Sequence, residues 1–229
     1  MRKILALLPL SVLLLAACAA PAPSDAGTSG PDAISEATWS RYRTGELREY
    51  NGTKLDPAVG PRDNSIKGVQ HVGMDGYKLV VDGLVDQPKQ YVYDEVKALP
   101  GEQRLITIHC VEGWDATILW KGVAMKTLLD AAETKPEAKT VIFHAVDGYT
   151  TSLPLHEILE KNLMLAYDAN GIALPPEMGY PFIFVAEDKW GYKWARWVNR
   201  IELSSDTDYQ GYWESNGYSN EGDLGQPSR

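Results

Sequence analysis

RLITIHCVEGWDATILWKGVAMKTLLDAA, residues 104–132, passes from a β-like run into a glycine-containing loop and then into helical spacing, and a cysteine stands at the first junction. The run Arg104 to Cys110 is rich in β-branched residues and reads as a strand. Cys110 lies at its end, followed by Val111-Glu112-Gly113-Trp114. A ligand or nucleophile on a strand end, with a buried strand behind it and a loop in front, is well preorganised for a site. In regular strand His109 points to the opposite face from Cys110, which makes it an interior residue rather than a catalyst. Farther on, Val123, Leu128, Leu129 and Ala132 can share one face of a helix over 123–132.

Working outward, apolar and β-branched runs predict further strands at 77–85, 140–146, 163–167, 181–186 and 194–203, with helical spacing at 93–99 and 155–161. The order lacks regular strand-helix alternation and predicts an α+β fold with a mixed, mainly β-sheet core and short helices. Asp82-Gly83, Asp147-Gly148 and Asn170-Gly171 are turn dipeptides that accept positive φ. The aromatics of the last third, from Trp190 to Tyr218, read as packing, with a ring-lined pocket as the alternative.

Residues 1–17 carry Arg2 and Lys3, then an apolar stretch too short to span a bilayer, then Leu15-Ala16-Ala17-Cys18. This pattern predicts a lipoprotein export signal, with cleavage before Cys18 and acylation of its sulfur. Residues 18–38, small, polar and Pro-rich, then read as a flexible tether, and 39–229 as one catalytic domain. The 212 residues after the signal hold 20 Lys and Arg against 31 Asp and Glu, a balance of −11 that argues against nucleic acid as partner. The chain has two cysteines, so acylation of Cys18 leaves Cys110 as a lone thiol in an exported protein. Such a thiol is a metal ligand, a nucleophile, an intermolecular bridge or a small buried apolar group.

HCVEGWDATILWKGVAMKTLLDAA (109–132) resembles the signature region of the oxidoreductase molybdopterin-binding domain. That domain is the catalytic unit of sulfite oxidases, plant nitrate reductases and bacterial protein-methionine-sulfoxide reductases. Similar stretches follow in family order: VIFHAVDGYTTSLPLHEIL (141–159), LMLAYDANGIALPPEMGYPFIFVAE (163–187), KWGYKWARWVNRIEL (189–203) and GYWESNGYSN (211–220). The resemblance runs from about Asn64 to Asp223. It implies a sulfite-oxidase-type fold and a molybdenum–pterin cofactor, tungsten being the alternative metal, with Cys110 as the protein's ligand to the metal. A soft thiolate suits a metal already held by dithiolene sulfurs. The resemblance further implies that the loop 189–196 meets the cofactor phosphate, with Tyr192, Lys193 and Arg196 as the contacts. Asn64 resembles the asparagine that touches the pterin, with Lys67 and His71 as neighbouring candidates. Glu112 is either a proton relay or metal-tuning group, or a loop carboxylate facing water.

The chain departs from the family pattern at Met178 and Ile183, which stand where the sulfoxide reductases have a polar Asn and an Arg. Those two contacts do not carry over, and the missing arginine weakens any case for a small oxyanion as substrate. Family members leave the cytoplasm folded by the twin-arginine route, whereas this signal has only Arg2-Lys3. A relaxed signal, another route to the cofactor and loss of the cofactor all stay open. The reaction the resemblance implies is two-electron oxygen-atom transfer on a small or protein-borne substrate. No Cys-x-x-Cys-His motif for covalent haem is present, so a separate electron-transfer partner, a cytochrome or a quinone-linked membrane protein, is expected. Two rival readings remain: a hydrolase using Cys110 with a histidine base, and a binding module that kept the fold without its cofactor.

Overall fold

The computed structural model describes residues 34–229. The expected signal, Cys18 and most of the tether lie outside the described residues. α1 (Glu36–Arg43) is N-capped by the Ser35 hydroxyl, which accepts from the Thr38 amide at 3.2 Å. It leads into the hairpin β1 (Glu49–Tyr50) and β2 (Thr53–Lys54). Next come β3 (Leu79–Gly83), β4 (Lys89–Tyr91) and α2 (Tyr93–Ala98). The long strands β5 (Gly101–His109) and β6 (Asp115–Ala124) run directly into α3 (Met125–Ala131). They are followed by β7 (Thr140–Ala145), β8 (Thr150–Pro154) and α4 (Leu155–Glu160). Strands β9 (Met164–Ala169), β10 (Ile172–Ala173), β11 (Ile183–Val185) and β12 (Val198–Ser204) complete the regular elements.

Two five-stranded sheets share one core. The first has the order β10-β9-β6-β5, with β11 also pairing on β9, and all its ladders are antiparallel. The second has the order β4-β3-β12-β7-β8, in which only β12 and β3 run parallel. The α+β, mixed-sheet class expected from the sequence is therefore the observed one. Phe143 on β7 and Phe184 on β11 stack at 3.8 Å with planes 16° apart, joining the sheets at the centre. Beside them Trp120 on β6 packs against Trp194 at 5.7 Å and donates its indole N–H to the Ile106 carbonyl at 3.1 Å.

The helical reading of 123–132 needs correction at its start. Val123 and Ala124 end β6, and the helix begins at Met125. The sequence reading assigned no strand to 115–124, yet β6 is the central strand of the first sheet, pairing β5 on one side and β9 on the other. It is buried on both faces, so Ile118, Leu119 and Trp120 form an apolar run instead of an alternating one. Periodicity does not distinguish such a run from a buried helix segment. The unassigned β8 is likewise largely buried.

The Phe143–Phe184 stack is the joint between the sheets, and both rings are fully buried. Phe143→Ala is expected to cost about 3–5 kcal/mol of folding stability, read as a lowered midpoint in urea unfolding with the slope unchanged.

Candidate active site

Cys110 sits in the five-residue connection of the β5–β6 hairpin. Nine cross-strand pairs, from Gly101↔Val123 to His109↔Asp115, hold the two strands in register behind it. The connection closes on itself: the Cys110 amide donates to the Trp114 carbonyl at 2.8 Å, and the Gly113 amide donates to the Cys110 carbonyl at 3.0 Å. Gly113 takes φ +84°, a left-handed conformation that a side chain at this tight reversal would strain. The Cys110 residue is 8% exposed. Its sulfur is approached by the Asn64 amide nitrogen at 3.8 Å and by the backbone amides of Glu112 and Val111. Burial pushes the thiol pKa up, and those amides with the Arg196 charge oppose the rise without cancelling it.

The sulfur faces a cleft that is open to solvent at its mouth. Trp114, Tyr149, Tyr192, Trp194, Trp213 and Tyr218 line it, which realises the ring-lined alternative for the C-terminal aromatics. Two buried polar atoms on this wall have no partner in the protein, Oδ1 of Asn64 and Nε1 of Trp114. An acceptor and a donor left orphaned at the same cavity call for a polar guest. Arg196 also lines the cavity. Its guanidinium donates to the Glu177 carbonyl at 2.8 Å and to Asp63 at 3.0 Å, which leaves three of its five N–H groups for a ligand. Gly179, at φ +112°, lets Arg196 approach: a β-carbon there would stand 2.8 Å from the Arg196 β-carbon. Met178 and Ile183 form an apolar part of the same wall.

Of the residues singled out in the sequence, Asn64, Cys110, Glu112, Tyr192 and Arg196 converge on this cleft. Three do not. Lys193, expected as a phosphate contact, is fully buried away from it. Its ammonium donates to Glu214 at 2.6 Å and to the Asn220 carbonyl at 2.7 Å. Burial lowers the Lys193 pKa, and Glu214 opposes the shift. The charge is thus spent on pinning the C-terminal segment. Lys67 and His71 are exposed and absent from the wall, because the loop carrying them turns outward after Ser65. Glu112 is exposed at the rim. His109 is not interior, since its ring is 38% exposed and faces Asp115 at 3.8 Å.

Other wall residues escaped the sequence reading. Asp147 and Tyr149 come from the turn between β7 and β8, which registered only as a turn. Tyr149 donates its hydroxyl to the Tyr192 carbonyl, and burial raises its pKa well above that of a free phenol. Trp213 and Tyr218 belong to the segment after β12, which is stitched back over residues 188–193. There Tyr192 donates to the Ser219 carbonyl at 2.7 Å, Lys189 pairs with Asp223 at 2.6 Å, and Thr151 and Lys193 both donate to Glu214. Burial and the Glu214 charge push the Tyr192 phenol up to about 12.

The sequence profile described as "Oxidoreductase molybdopterin binding domain" matches residues 66–213. The chain belongs to this family. The "Uncharacterized oxidoreductase YuiH" of Bacillus subtilis is 39% identical over 157 residues, covering 68% of this chain and 79% of that one. The "Putative protein-methionine-sulfoxide reductase subunit YedZ1" of Azospira oryzae is 32% identical, covering 66% of this chain and 57% of that one. The "Protein-methionine-sulfoxide reductase catalytic subunit MsrP" of Ralstonia nicotianae is 27% identical, and the match spans only 43% of its length. Among solved structures, the sulfane dehydrogenase SoxCD of Paracoccus pantotrophus superposes with a TM-score of 0.61 over 81% of this chain and 57% of that one, at 20% identity, a likeness of fold. Family membership makes the chain a molybdopterin-dependent oxidoreductase of the sulfite oxidase type. The residues on the wall fit the family's cofactor: a soft sulfur ringed by donors, an orphaned donor and acceptor, and a guanidinium with free N–H groups.

Two expectations follow from this geometry. Glu214→Ala strands the Lys193 ammonium in the interior and should cost about 3–5 kcal/mol in denaturant unfolding, with the segment after β12 turning protease-sensitive. In metal-free protein, alkylation of Cys110 by iodoacetamide at pH 7 should be slower than that of free cysteine and accelerate as the pH rises, because the raised pKa leaves little thiolate at neutrality.

Proposed function

We propose that Cys110 supplies the protein's ligand to a molybdenum ion chelated by molybdopterin, and that the chain catalyses two-electron oxygen-atom transfer on an uncharged oxygen-bearing group, small or carried on a protein. The observation that carries this reading is the Cys110 sulfur, approached by three N–H donors at an aromatic cleft whose wall holds an orphaned acceptor and an orphaned donor. Asn64 and Trp114 would offer those atoms to the pterin, and the free N–H groups of Arg196 would meet its phosphate in paired bonds. When bound, the metal supplies the two-electron couple and the point of oxygen exchange. The protein's own part is to fix the sulfur, exclude water with aromatic rings and select what enters.

Charge supports an uncharged reacting group. Arg62 and Arg196 face three carboxylates on the wall, Glu112, Asp147 and Glu177, and Arg196 is already bound to Asp63. Met178 and Ile183 add no charge where the sulfoxide reductases carry an arginine. With the free N–H groups of Arg196 given to the pterin phosphate, an oxyanion such as sulfite is left only Arg62, at the exposed part of the described wall, whereas a sulfoxide or similar dipolar group needs no cation. Relatives named as methionine-sulfoxide reductases make a protein-borne sulfoxide the natural first candidate. Electrons come from a separate carrier, a cytochrome or quinone-linked membrane protein, beside which an acyl chain on Cys18 would hold the enzyme. Among the described residues no histidine lines the cleft, which removes the base that a Cys110 hydrolase would need.

Protein purified from a host that makes the cofactor should contain about one molybdenum and one pterin per chain. Cys110→Ser should lose oxygen-transfer activity entirely while folding normally by circular dichroism. Full activity in that variant, or a wild type free of metal and pterin, would overturn the assignment.

A further inference from the structure

Four carboxylate or ammonium side chains belong to buried residues of the described chain: Asp147, Lys189, Lys193 and Glu214. Three are paired. Lys193 meets Glu214 at 2.6 Å, and Lys189 meets Asp223 at 2.6 Å and Glu157 at 2.7 Å. Asp147 is 3% exposed, and among the described residues it forms no ion pair. One carboxylate oxygen accepts from the Tyr149 amide at 2.9 Å, and the other accepts no hydrogen bond from a described residue. A carboxylate on a buried residue with one oxygen uncommitted and no ion-pair partner among the described residues asks for a reason.

Its position suggests one. Asp147 lies in the β7–β8 turn, on the wall of the cleft that holds the Cys110 sulfur. From the other elements around that cleft it faces the carboxylates of Glu112 and Glu177, the guanidinium groups of Arg62 and Arg196, and the Tyr192 and Tyr218 phenols. On the outer side of its own turn, the Lys67 ammonium stands 3.4 Å from where a β-carbon on Gly148 would be. Glu112 is exposed at the rim, and Glu177 already accepts from Arg41 and Tyr42. Of the three phenols on the wall, Tyr149 and Tyr192 donate to backbone carbonyls and have raised pKa values, and the Tyr218 hydroxyl accepts from Arg229 at 2.8 Å. Asp147 is then the one carboxyl that is both buried and uncommitted at the wall.

We propose that Asp147 is the proton-exchanging group of the cleft, giving a proton to the departing oxygen when substrate is reduced and taking one back in the reverse direction. This rests on the oxygen-transfer reading above. In the reducing direction the balance is R–O + 2 e⁻ + 2 H⁺ → R + H₂O. The R–O bond breaks, both electrons come from a separate electron-carrier protein or a reduced dye, one proton comes from Asp147 and the other from solvent. A positioned general acid is worth on the order of 10²–10⁴ in rate.

The test uses cofactor-loaded full-length protein and Asp147→Asn, which keeps an oxygen for the Tyr149 amide and removes the proton. The expected variant retains molybdenum and pterin and reduces dimethyl sulfoxide with reduced benzyl viologen on the order of 100-fold more slowly. Its rate is also expected to depend less on pH than that of wild type. A second readout needs no substrate: the pH dependence of the bound metal's reduction potential, followed by electron paramagnetic resonance, should be weaker in the variant. This readout alone decides if wild type does not turn over the dimethyl sulfoxide probe. Unchanged pH dependence in both readouts sinks the proposal, as does loss of metal from a folded variant, which would make Asp147 a cofactor-retention residue. If Asp147→Asn fails to fold, Asp147→Ser, whose hydroxyl also accepts from the amide, takes its place; failure of both assigns Asp147 to the turn alone. A wild type without molybdenum and pterin refutes the parent reading instead, a result distinguishable from all of these.

Discussion

The antiparallel ladder between β5 and β6 is the constraint on which the site depends. Nine register pairs on one side and the β9 ladder on the other hold β6 in the middle of the first sheet. The connection between β5 and β6 has no freedom to wander, because its own amide bonds and Gly113 close it into a single shape. The Cys110 sulfur is therefore fixed by the sheet rather than by its neighbours in the loop. For the metal ligand proposed here, that rigidity is worth more than proximity to any one partner.

Around this fixed sulfur the cleft is assembled from segments distant in sequence. Asn64 and Arg62 come from the loop before β3, Asp147 and Tyr149 from the β7–β8 turn, and Arg196 from the strand approach after residue 193. Trp213 and Tyr218 come from beyond the last strand. Buried charge holds this last segment down. Lys193 and Glu214 are both fully enclosed, and a pair of that kind stabilises weakly in sum while making separation expensive. Its effect is to specify one placement of the aromatic wall. The buried charges of Lys189, Lys193 and Glu214 are paired, whereas the Asp147 carboxylate, on the wall of the cleft, has no ion-pair partner among the described residues.

Much of the fold was legible because several segments carry a single dominant signal. The strand at 140–146, the helices at 93–99 and 155–161, and the turns at Asp147-Gly148 and Asn170-Gly171 all appear close to where periodicity and turn chemistry put them. β6 was not legible, since a strand buried on both faces loses the alternation by which strands are read. In the site, Cys110 stood out as an unpaired thiol at a strand end, and Asn64, Tyr192 and Arg196 through family resemblance. Lys193 shows the limit of that approach: a lysine in a phosphate-binding stretch and a lysine neutralising an interior glutamate look the same in one dimension.

What the amino-acid sequence alone determined is the family and the sheet-dominated class, and it singled out Cys110 as the candidate thiol, because each rests on local pattern or on residue type. The tertiary structure decided which charges are free to act. Glu214 lies 21 residues from Lys193 and consumes its charge, Asp63 lies 133 residues from Arg196 and consumes part of it, and Asp147 is left buried without an ion-pair partner among the described residues. Ion pairing and burial depend on distances in space, and those distances exist only once the two sheets have closed on each other.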